Sequence, residues 1–337
     1  MAKKKVRIAQ VGITSHGETI LNATLHSDTL ELVSLYDLRN EDSRKAADRL
    51  GIKQASSYDE IVGDPSVDAV ALVTPNHLHA SQIMLALDAG KHVFVEKPIT
   101  RTVAEARSVI AKAKESNHVL MVGHNTRRRA IFRRAKAILQ KEKLGIIVGV
   151  EMNVSRPVGI LEGLPAWKAD PQAATLVPMT QLGIHFVDAV HYLLGPVRKV
   201  ACLANHAAMP GGALDAASAI LGLESGIPAT LSCYYVTPDV YLFRIYGTKG
   251  ILNCSVNGYV LQVLNGGRLA TEAEEDFSQE GFASYQEEMV EFGECVLNGK
   301  EPETGGEGGM VALAVVEAMT ESIRTGRVID VKEILGQ

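Results

Sequence analysis

Apolar positions in the first part of the chain fall into short runs rich in β-branched side chains: Val6–Val11, Leu30–Asp37, Ala69–Thr74, His92–Val95 and Val119–Val122. Runs of this length without polar alternation predict strands buried on both faces. Between them the apolar spacing lengthens to a helical period, as in Asp42–Leu50, His79–Ala89 and Val103–Ser116. Strand and helix in alternation predict a parallel, doubly wound α/β sheet, because each return to a parallel strand needs a crossover and a helix supplies it.

After Asn125 the pattern changes. A helix over Ala130–Gln140 leads to a long strand, Ile146–Ser155, then to an irregular Pro- and Gly-rich stretch reaching about Ala174 and a helix over Gly183–Leu194. Closely spaced strands follow: Val197–Asn205, Ala216–Glu224, Ala229–Val236, Tyr241–Tyr246, Ile251–Val256 and Val260–Leu264. Turn pairs such as Asn257-Gly258 and Gly266-Gly267 join them into antiparallel hairpins. Helices over Tyr285–Leu297 and Met310–Thr325 complete the chain. The pattern thus predicts a first domain over residues 1–125 and a second, α+β domain over 126–337 on a large open antiparallel sheet.

Composition sharpens the picture in a few places. A chain of 337 residues is long for one core, which agrees with two domains. It is 46% hydrophobic and 22% charged, with a formal charge of −5, the profile of an ordinary soluble globular protein. The mild acidity argues against non-specific nucleic-acid binding. The basic run Arg127-Arg128-Arg129 with Arg133-Arg134 sits at a helix start and reads as a solvated face or an anion contact. Cys202, Cys233, Cys254 and Cys295 are too scattered for a metal site and read as reduced core thiols of a cytoplasmic protein. The basic N-terminus runs straight into a strand without the apolar core of a signal peptide, and no apolar stretch is long enough to span a membrane.

The first strand ends in Gly12-Ile13-Thr14-Ser15-His16-Gly17. This is the glycine-rich turn of a dinucleotide site with Thr14 in place of the middle glycine, where the backbone ordinarily approaches a pyrophosphate. Gly12 still suits the tight turn, Gly17 suits close helix–strand packing, and Thr14 and Ser15 add hydroxyls beside the amides of the helix N-terminus. About twenty residues on, Asp37 ends the second strand, where a carboxylate hydrogen-bonds a ribose 2′-hydroxyl and repels a 2′-phosphate. Arg39 lies close enough to accommodate that phosphate, so NAD is expected and NADP stays open. At the end of the fourth apolar run stands Glu96-Lys97-Pro98, on the strand rim where ligands bind in such sheets.

The chain resembles the glucose–fructose oxidoreductase / inositol dehydrogenase / MocA family. The resemblance rests on Thr74-Pro75-Asn76-His77-Leu78-His79, Glu96-Lys97-Pro98, Gly123-His124-Asn125, Gly183-Ile184-His185-Phe186-Val187-Asp188 with Leu193-Leu194-Gly195, and Gly247-Thr248-Lys249-Gly250, which reach across nearly the whole chain. It implies a Rossmann domain followed by a domain whose open sheet forms a homo-dimer or homo-tetramer interface. It also implies a bound nicotinamide cofactor and a sugar, sugar-acid or cyclic polyol substrate. By position, Lys97 matches the catalytic lysine, which stabilises the reacting oxygen as its proton leaves. His185 matches the histidine that serves as general base in oxidation; a lone histidine reads more readily as a satisfied interface histidine, and its place in this motif reverses that preference. Asp188, three residues on, shares its helical face and either contacts substrate or holds structure. The family usually has a cis peptide before the proline of Glu96-Lys97-Pro98.

Two departures stand out. Many relatives carry an aspartate four residues before this histidine; here Gln181 can hydrogen-bond a substrate but cannot take a proton. The glycine-rich approach to that motif is replaced by Ala173-Ala174-Thr175-Leu176-Val177-Pro178, which reshapes the pocket rim. Thr74, Asn76 and His79 are candidates for contact near the nicotinamide, although His77 and His79 also suit a helix cap, and Asn125 for orienting either ligand. Arg156 and Trp167 lie in the irregular segment expected to cover the substrate. The expectation is an NAD(P)-dependent dehydrogenase acting on CH–OH groups without a metal. A silent cofactor-binding regulator and an NAD-dependent glycosidase stand as alternatives.

Overall fold

The structure is a computed structural model whose described residues are 4–161, 164–170 and 176–337. The chain begins with β1 (Val6–Val11), α1 (His16–Leu25), β2 (Leu30–Tyr36), α2 (Asn40–Leu50), β3 (Lys53–Gln54) and α3 (Tyr58–Gly63). It continues through β4 (Ala69–Leu72), α4 (Asn76–Asp88), β5 (His92–Glu96), α5 (Val103–Ser116), β6 (Leu120–Gly123) and a 3-10 turn over Asn125–Arg128. Next come α6 (Ala130–Gln140), β7 (Ile147–Ser155), the short α7 (Ala166–Ala169), a π-helical turn over Met179–Gly183 and α8 (Ile184–Leu194). The strands β8 (Val197–Asn205), β9 (Ala216–Leu223), β10 (Pro228–Tyr234), β11 (Val240–Gly247), β12 (Gly250–Cys254), β13 (Gly258–Asn265) and β14 (Arg268–Asp276) follow. The chain closes with α9 (Ala283–Asn298), α10 (Gly306–Thr325), β15 (Ile329–Asp330) and α11 (Val331–Leu335).

Two compact units result: Met1–Arg128 with Phe282–Met310, and Arg129–Gly281 with Val311–Gln337. In the first, a six-stranded sheet runs β3-β2-β1-β4-β5-β6, and its strand pairs are parallel. This is the doubly wound order, and it reverses between β1 and β4, which opens a crevice at their carboxyl ends. The strands carry fully buried residues such as Ile8, Leu35, Ala71, Phe94 and Met121 because helices cover both faces. α9 belongs to this core: Met289 and Phe292 pack into it, and the Phe292 ring meets Phe94 edge-on at 5.9 Å. The sequence pattern placed α9 in the second domain, since an amphipathic helix shows that one face is buried without showing against what.

In the second unit a nine-stranded sheet runs β14-β13-β12-β11-β7-β10-β9-β8-β15. It is mixed and mostly antiparallel, not wholly antiparallel as the turn spacing predicts. β7 and β10 pair in parallel, Ala229 opposite Val150, because the chain passes through α8 and the β8–β9–β10 meander before it returns beside β7. β14, which the hydrophobic pattern misses, is an acidic and largely exposed edge strand. It is joined to β13 by a tight turn in which Gly266 and Gly267 take φ of +57° and +80°. All four cysteines are free and buried. Among the described residues no helix is long and apolar enough to cross a membrane.

Candidate active site

The first unit gathers its candidate residues at the carboxyl ends of β1, β2, β4, β5 and β6. Gly12 leaves β1 at φ +85°, and a Cβ there would lie 2.1 Å from the Val73 carbonyl oxygen, so no larger residue fits. A Cβ at Gly17 would lie 2.5 Å from the Gly12 oxygen, which accounts for the close approach of α1 to the strand end. Gln10, not singled out by the sequence pattern, locks this turn: its side-chain amide donates to the Gly12 carbonyl at 2.9 Å and the Gly17 carbonyl at 2.7 Å. Between the glycines, after Thr14, Ser15 takes φ +56° and ψ −114°, a conformation few side chains tolerate, without capping α1 through its hydroxyl. The positive end of the α1 dipole thus opens on the turn that Gly12 and Ser15 shape.

Asp37 is buried, and both its carboxylate oxygens are engaged. Oδ2 accepts the Ile13 amide at 3.0 Å and Oδ1 accepts the Arg39 amide at 2.9 Å, which fixes the carboxylate across the ends of β1 and β2. A carboxylate oxygen accepts more than one hydrogen bond, so capacity for a ribose hydroxyl remains. Arg39 is 64% exposed at its side chain, with Nε 3.7 Å from Asp37 and 3.8 Å from Asp42.

Beyond β4, the Thr74 hydroxyl donates to Gln82 Oε1 at 2.6 Å. His79 is fully buried, with Nδ1 2.8 Å from the Pro98 carbonyl and Nε2 2.9 Å from the Thr74 carbonyl. Burial pushes its pKa down, and the two carbonyls oppose that shift. With both ring nitrogens facing backbone carbonyls, His79 ties the Thr74 loop to the Lys97-Pro98 segment and neither caps α4 nor presents a nitrogen to a ligand. Asn76, the first residue of α4, is 8% exposed, and its buried Oδ1 has no hydrogen-bond partner among the described residues. An orphaned buried acceptor at a strand-end crevice suits a ligand that brings a donor.

At the end of β5, Glu96 is 5% exposed. Its Oε1 lies 2.9 Å from His16 Nε2, and its Oε2 accepts the Lys97 amide at 3.1 Å. Gly123, its partner on β6, makes room: a Cβ there would sit 2.8 Å from Oε1. Burial pushes the Glu96 carboxyl up, yet His16 and Lys97 together hold it below the ordinary carboxylate range. Burial pulls the Lys97 amine below its usual basicity against the opposing pull of Glu96. The Lys97–Pro98 peptide is cis. Asn125 donates to Ser284 Oγ at 3.1 Å, which engages its amide with α9. Arg128 is not part of a solvated face: it is buried, 3.5 Å from the buried Glu288, paired also with Glu291, and bonded to Thr304 Oγ1 at 3.2 Å. Its charge is used to fasten α9 and the Thr304 segment to the end of β6.

In the second unit the π-helical turn carries Gln181 and runs directly into α8, which carries His185 in its first turn and the buried Asp188 one turn later. Such widened turns occur often at functional sites. Gly183 lets this segment lie close to β10, since a Cβ there would meet Met179 Sδ at 2.7 Å and Cys233 Sγ at 3.1 Å. Arg156, just past β7, is exposed and pairs with Asp239 at 3.2 Å. Trp167 packs onto a small cluster of Val177, Met209, Ala213 and Tyr235, with Lys168 Nζ 5.5 Å above its ring. Tyr235 is thereby turned inward, while the neighbouring Tyr234 reaches Ser218 Oγ at 3.1 Å. The rim residues Ala173, Ala174 and Thr175 lie outside the described residues.

A glycine-built turn on a helix N-terminus, a carboxylate fixed one strand away, an orphaned acceptor past β4 and a half-buried lysine past β5 suit a dinucleotide-dependent oxidoreductase. The comparisons agree. Residues 6–124 match the oxidoreductase family with NAD-binding Rossmann fold, and residues 132–253 match the GFO/IDH/MocA C-terminal domain. The chain belongs to the Gfo/Idh/MocA oxidoreductase family. It is 26% identical over 309 residues to the 1,5-anhydro-D-fructose reductase of Ensifer adhaerens, covering 90% of this chain and 91% of that protein. It is 25% identical over 348 residues to the myo-inositol 2-dehydrogenase of Thermotoga maritima, covering 98% of this chain and all of the relative (100%). A levoglucosan dehydrogenase in complex with NADH and levoglucosan has the same fold, with a TM-score of 0.88 at 19% identity, covering 97% of this chain and 99% of the other.

Proposed function

We propose that this chain transfers a hydride between a nicotinamide cofactor and a carbinol carbon of a sugar, sugar acid or cyclic polyol. The observation that carries the reading is the half-buried Lys97 beside the buried Glu96 at the end of β5, in a unit whose strand-end turn fits a dinucleotide. The bound nicotinamide supplies the acceptor, or in reverse the donor, of the hydride. In the first unit Gly12 and Ile13 shape the turn, with their amides held by the Tyr36 carbonyl and Asp37, while Thr14 and Ser15 offer backbone amides to the pyrophosphate, Asp37 reads the ribose, and the orphaned Asn76 Oδ1 takes a donor of the ligand. Thr74, His79 and Asn125 hold these loops through bonds already made within the protein.

Lys97 hydrogen-bonds the reacting oxygen and steadies the charge that develops there as the proton leaves. Its lowered basicity brings proton exchange nearer to neutral pH. His185 is the general base of oxidation in this reading, Gln181 orients a substrate hydroxyl without titrating, and Asp188 supports the same helical face. The second unit also serves as the assembly surface. Leu203 on β8 and Ile220 on β9 stand 81% and 63% exposed on one face of adjacent strands, a patch suited to a second copy of this chain. The sheath of homo-oligomer contacts is tested by light scattering of wild type and Leu203→Glu.

The decisive experiment follows the absorbance of the reduced nicotinamide across a panel of sugars and inositols with either cofactor. Lys97→Ala is expected to lower kcat by about 10²–10⁴ while NADH binding persists. No hydride transfer with any panel member, in either direction, overturns the reading.

A further inference from the structure

The reaction as described leaves His16 without a role, yet the fold places it deliberately. It is the first residue of α1, held at the strained Ser15 turn, and its ring is fixed on two sides. Nε2 lies 2.9 Å from Glu96 Oε1, and the Tyr285 ring of α9 meets the imidazole edge-on with centroids 5.5 Å apart. Glu96 in turn is held at its other oxygen by the Lys97 amide, and Gly123, having no Cβ, leaves room for the carboxylate. The groups facing this carboxylate are therefore His16 from α1, Lys97 from its own strand end and, electrostatically, the buried His79 from α4.

We infer that His16 is a positioning residue for Lys97, acting through Glu96: the imidazole holds one carboxylate oxygen toward α1, so the charge of Glu96 is shared and not given over to the lysine. The inference rests on the dehydrogenase reading for its purpose, but its geometry does not. Removing the imidazole leaves Glu96 nearer to Lys97's sole use, and a carboxylate that is no longer shared favours the ammonium form more strongly. A lysine made more basic in this way exchanges its proton less readily at neutral pH. The side chain of glutamine carries an N–H at about the reach of imidazole Nε2, whereas asparagine is one methylene too short.

The test follows the Lys97 Cε–Hε signal by NMR in ligand-free protein labelled with ¹³C-lysine, titrated with pH and assigned by its loss in Lys97→Arg. His16→Asn is expected to move the Lys97 midpoint up by about half a pH unit or more, with His16→Ala as a second variant of the same effect. His16→Gln is expected to stay close to wild type. Turnover with a responsive polyol should follow the same order, with kcat falling about tenfold in His16→Asn and recovering in His16→Gln. An unmoved midpoint in His16→Asn and His16→Ala, or an equal movement in His16→Gln, overturns the inference. A wild type that transfers no hydride defeats the proposed function instead, while the lysine titration still decides the role of His16.

Discussion

Discrimination between NADH and NADPH follows from Asp37 and Arg39, and its size can be worked from their positions. Asp37 cannot swing aside, because its two oxygens hold the Ile13 and Arg39 amides. A 2′-phosphate brings about −1.5 to −2 charges. At about 6 Å from a fixed carboxylate, with an effective dielectric between about 20 and 80, the repulsion is roughly 1–5 kcal/mol. Arg39 offsets part of this, but at 64% side-chain exposure its contribution is screened to about 1 kcal/mol or less. The net expectation is NADH bound about tenfold more tightly than NADPH, since 1.4 kcal/mol corresponds to a factor of ten. Arg39→Ala should widen that ratio severalfold, and Asp37→Asn should bring it close to one. Fluorescence titration with each nucleotide at fixed ionic strength gives all the dissociation constants. Wild type that prefers NADPH, or a ratio indifferent to Asp37→Asn, would refute the reasoning, and the weight would pass to Arg39.

Other substitutions report on single features. Gly12→Ala places a Cβ 2.1 Å from the Val73 oxygen at φ +85°, so it should cost about 3 kcal/mol or more in urea unfolding and weaken NADH binding; a near-neutral result would mean the turn is not built as described. Ser15→Gly relieves a φ of +56° and should stabilise by about 1 kcal/mol, read as a raised Tm; an unchanged or lowered Tm argues against strain there. His92 accepts the Val119 amide on Nδ1 at 3.0 Å, and burial first, then His118, lowers its pKa from 6.5 to about 4. Because the unfolded chain binds that proton more readily, stability is intact above about 6.5 and is lost as pH falls through about 4. The gap is worth at most about 3 kcal/mol, and with His92 partly exposed about 1–2 kcal/mol is expected. Urea midpoints at neutral pH and near pH 4.5 (about two units below His92's ordinary range) should differ less in His92→Asn than in wild type; an equal loss in both would place the acid sensitivity elsewhere.

The parallel sheet was legible because burial on both faces leaves an unmistakable trace: strands such as Val93–Val95 and Ala69–Leu72 have no polar side to hide them. β14 left no such trace, since an edge strand written Arg-Leu-Ala-Thr-Glu-Ala-Glu-Glu-Asp reads as charged surface. The glycine turn shows a subtler limit. The motif treats its glycines as points of backbone freedom, and Gly12 is one; but Gly17 is helical and needed for contact, while the positive φ falls on Ser15. Composition of a motif therefore does not say which of its positions carries strain and which carries proximity.

The same distinction governs the site. Lys97 was legible because a strand end has a defined place in a doubly wound sheet, and that place follows from local pattern alone. Its surroundings were not, because they are pairs between distant segments: His16 with Glu96, Gln10 with Gly12 and Gly17, Arg128 with Glu288 and Glu291. Nothing in the spacing of residues 16 and 96 announces that they meet. Arg128 makes the point in reverse, since its neighbours Arg127 and Arg129 gave it the look of a surface charge, whereas glutamates far along the chain supply its partners. What a sequence states directly is where a reactive side chain sits on the backbone. How acidic or basic that side chain becomes is decided by how deeply the fold buries it and which charges it folds back against it, and for Lys97 burial lowers the basicity against the opposing pull of Glu96.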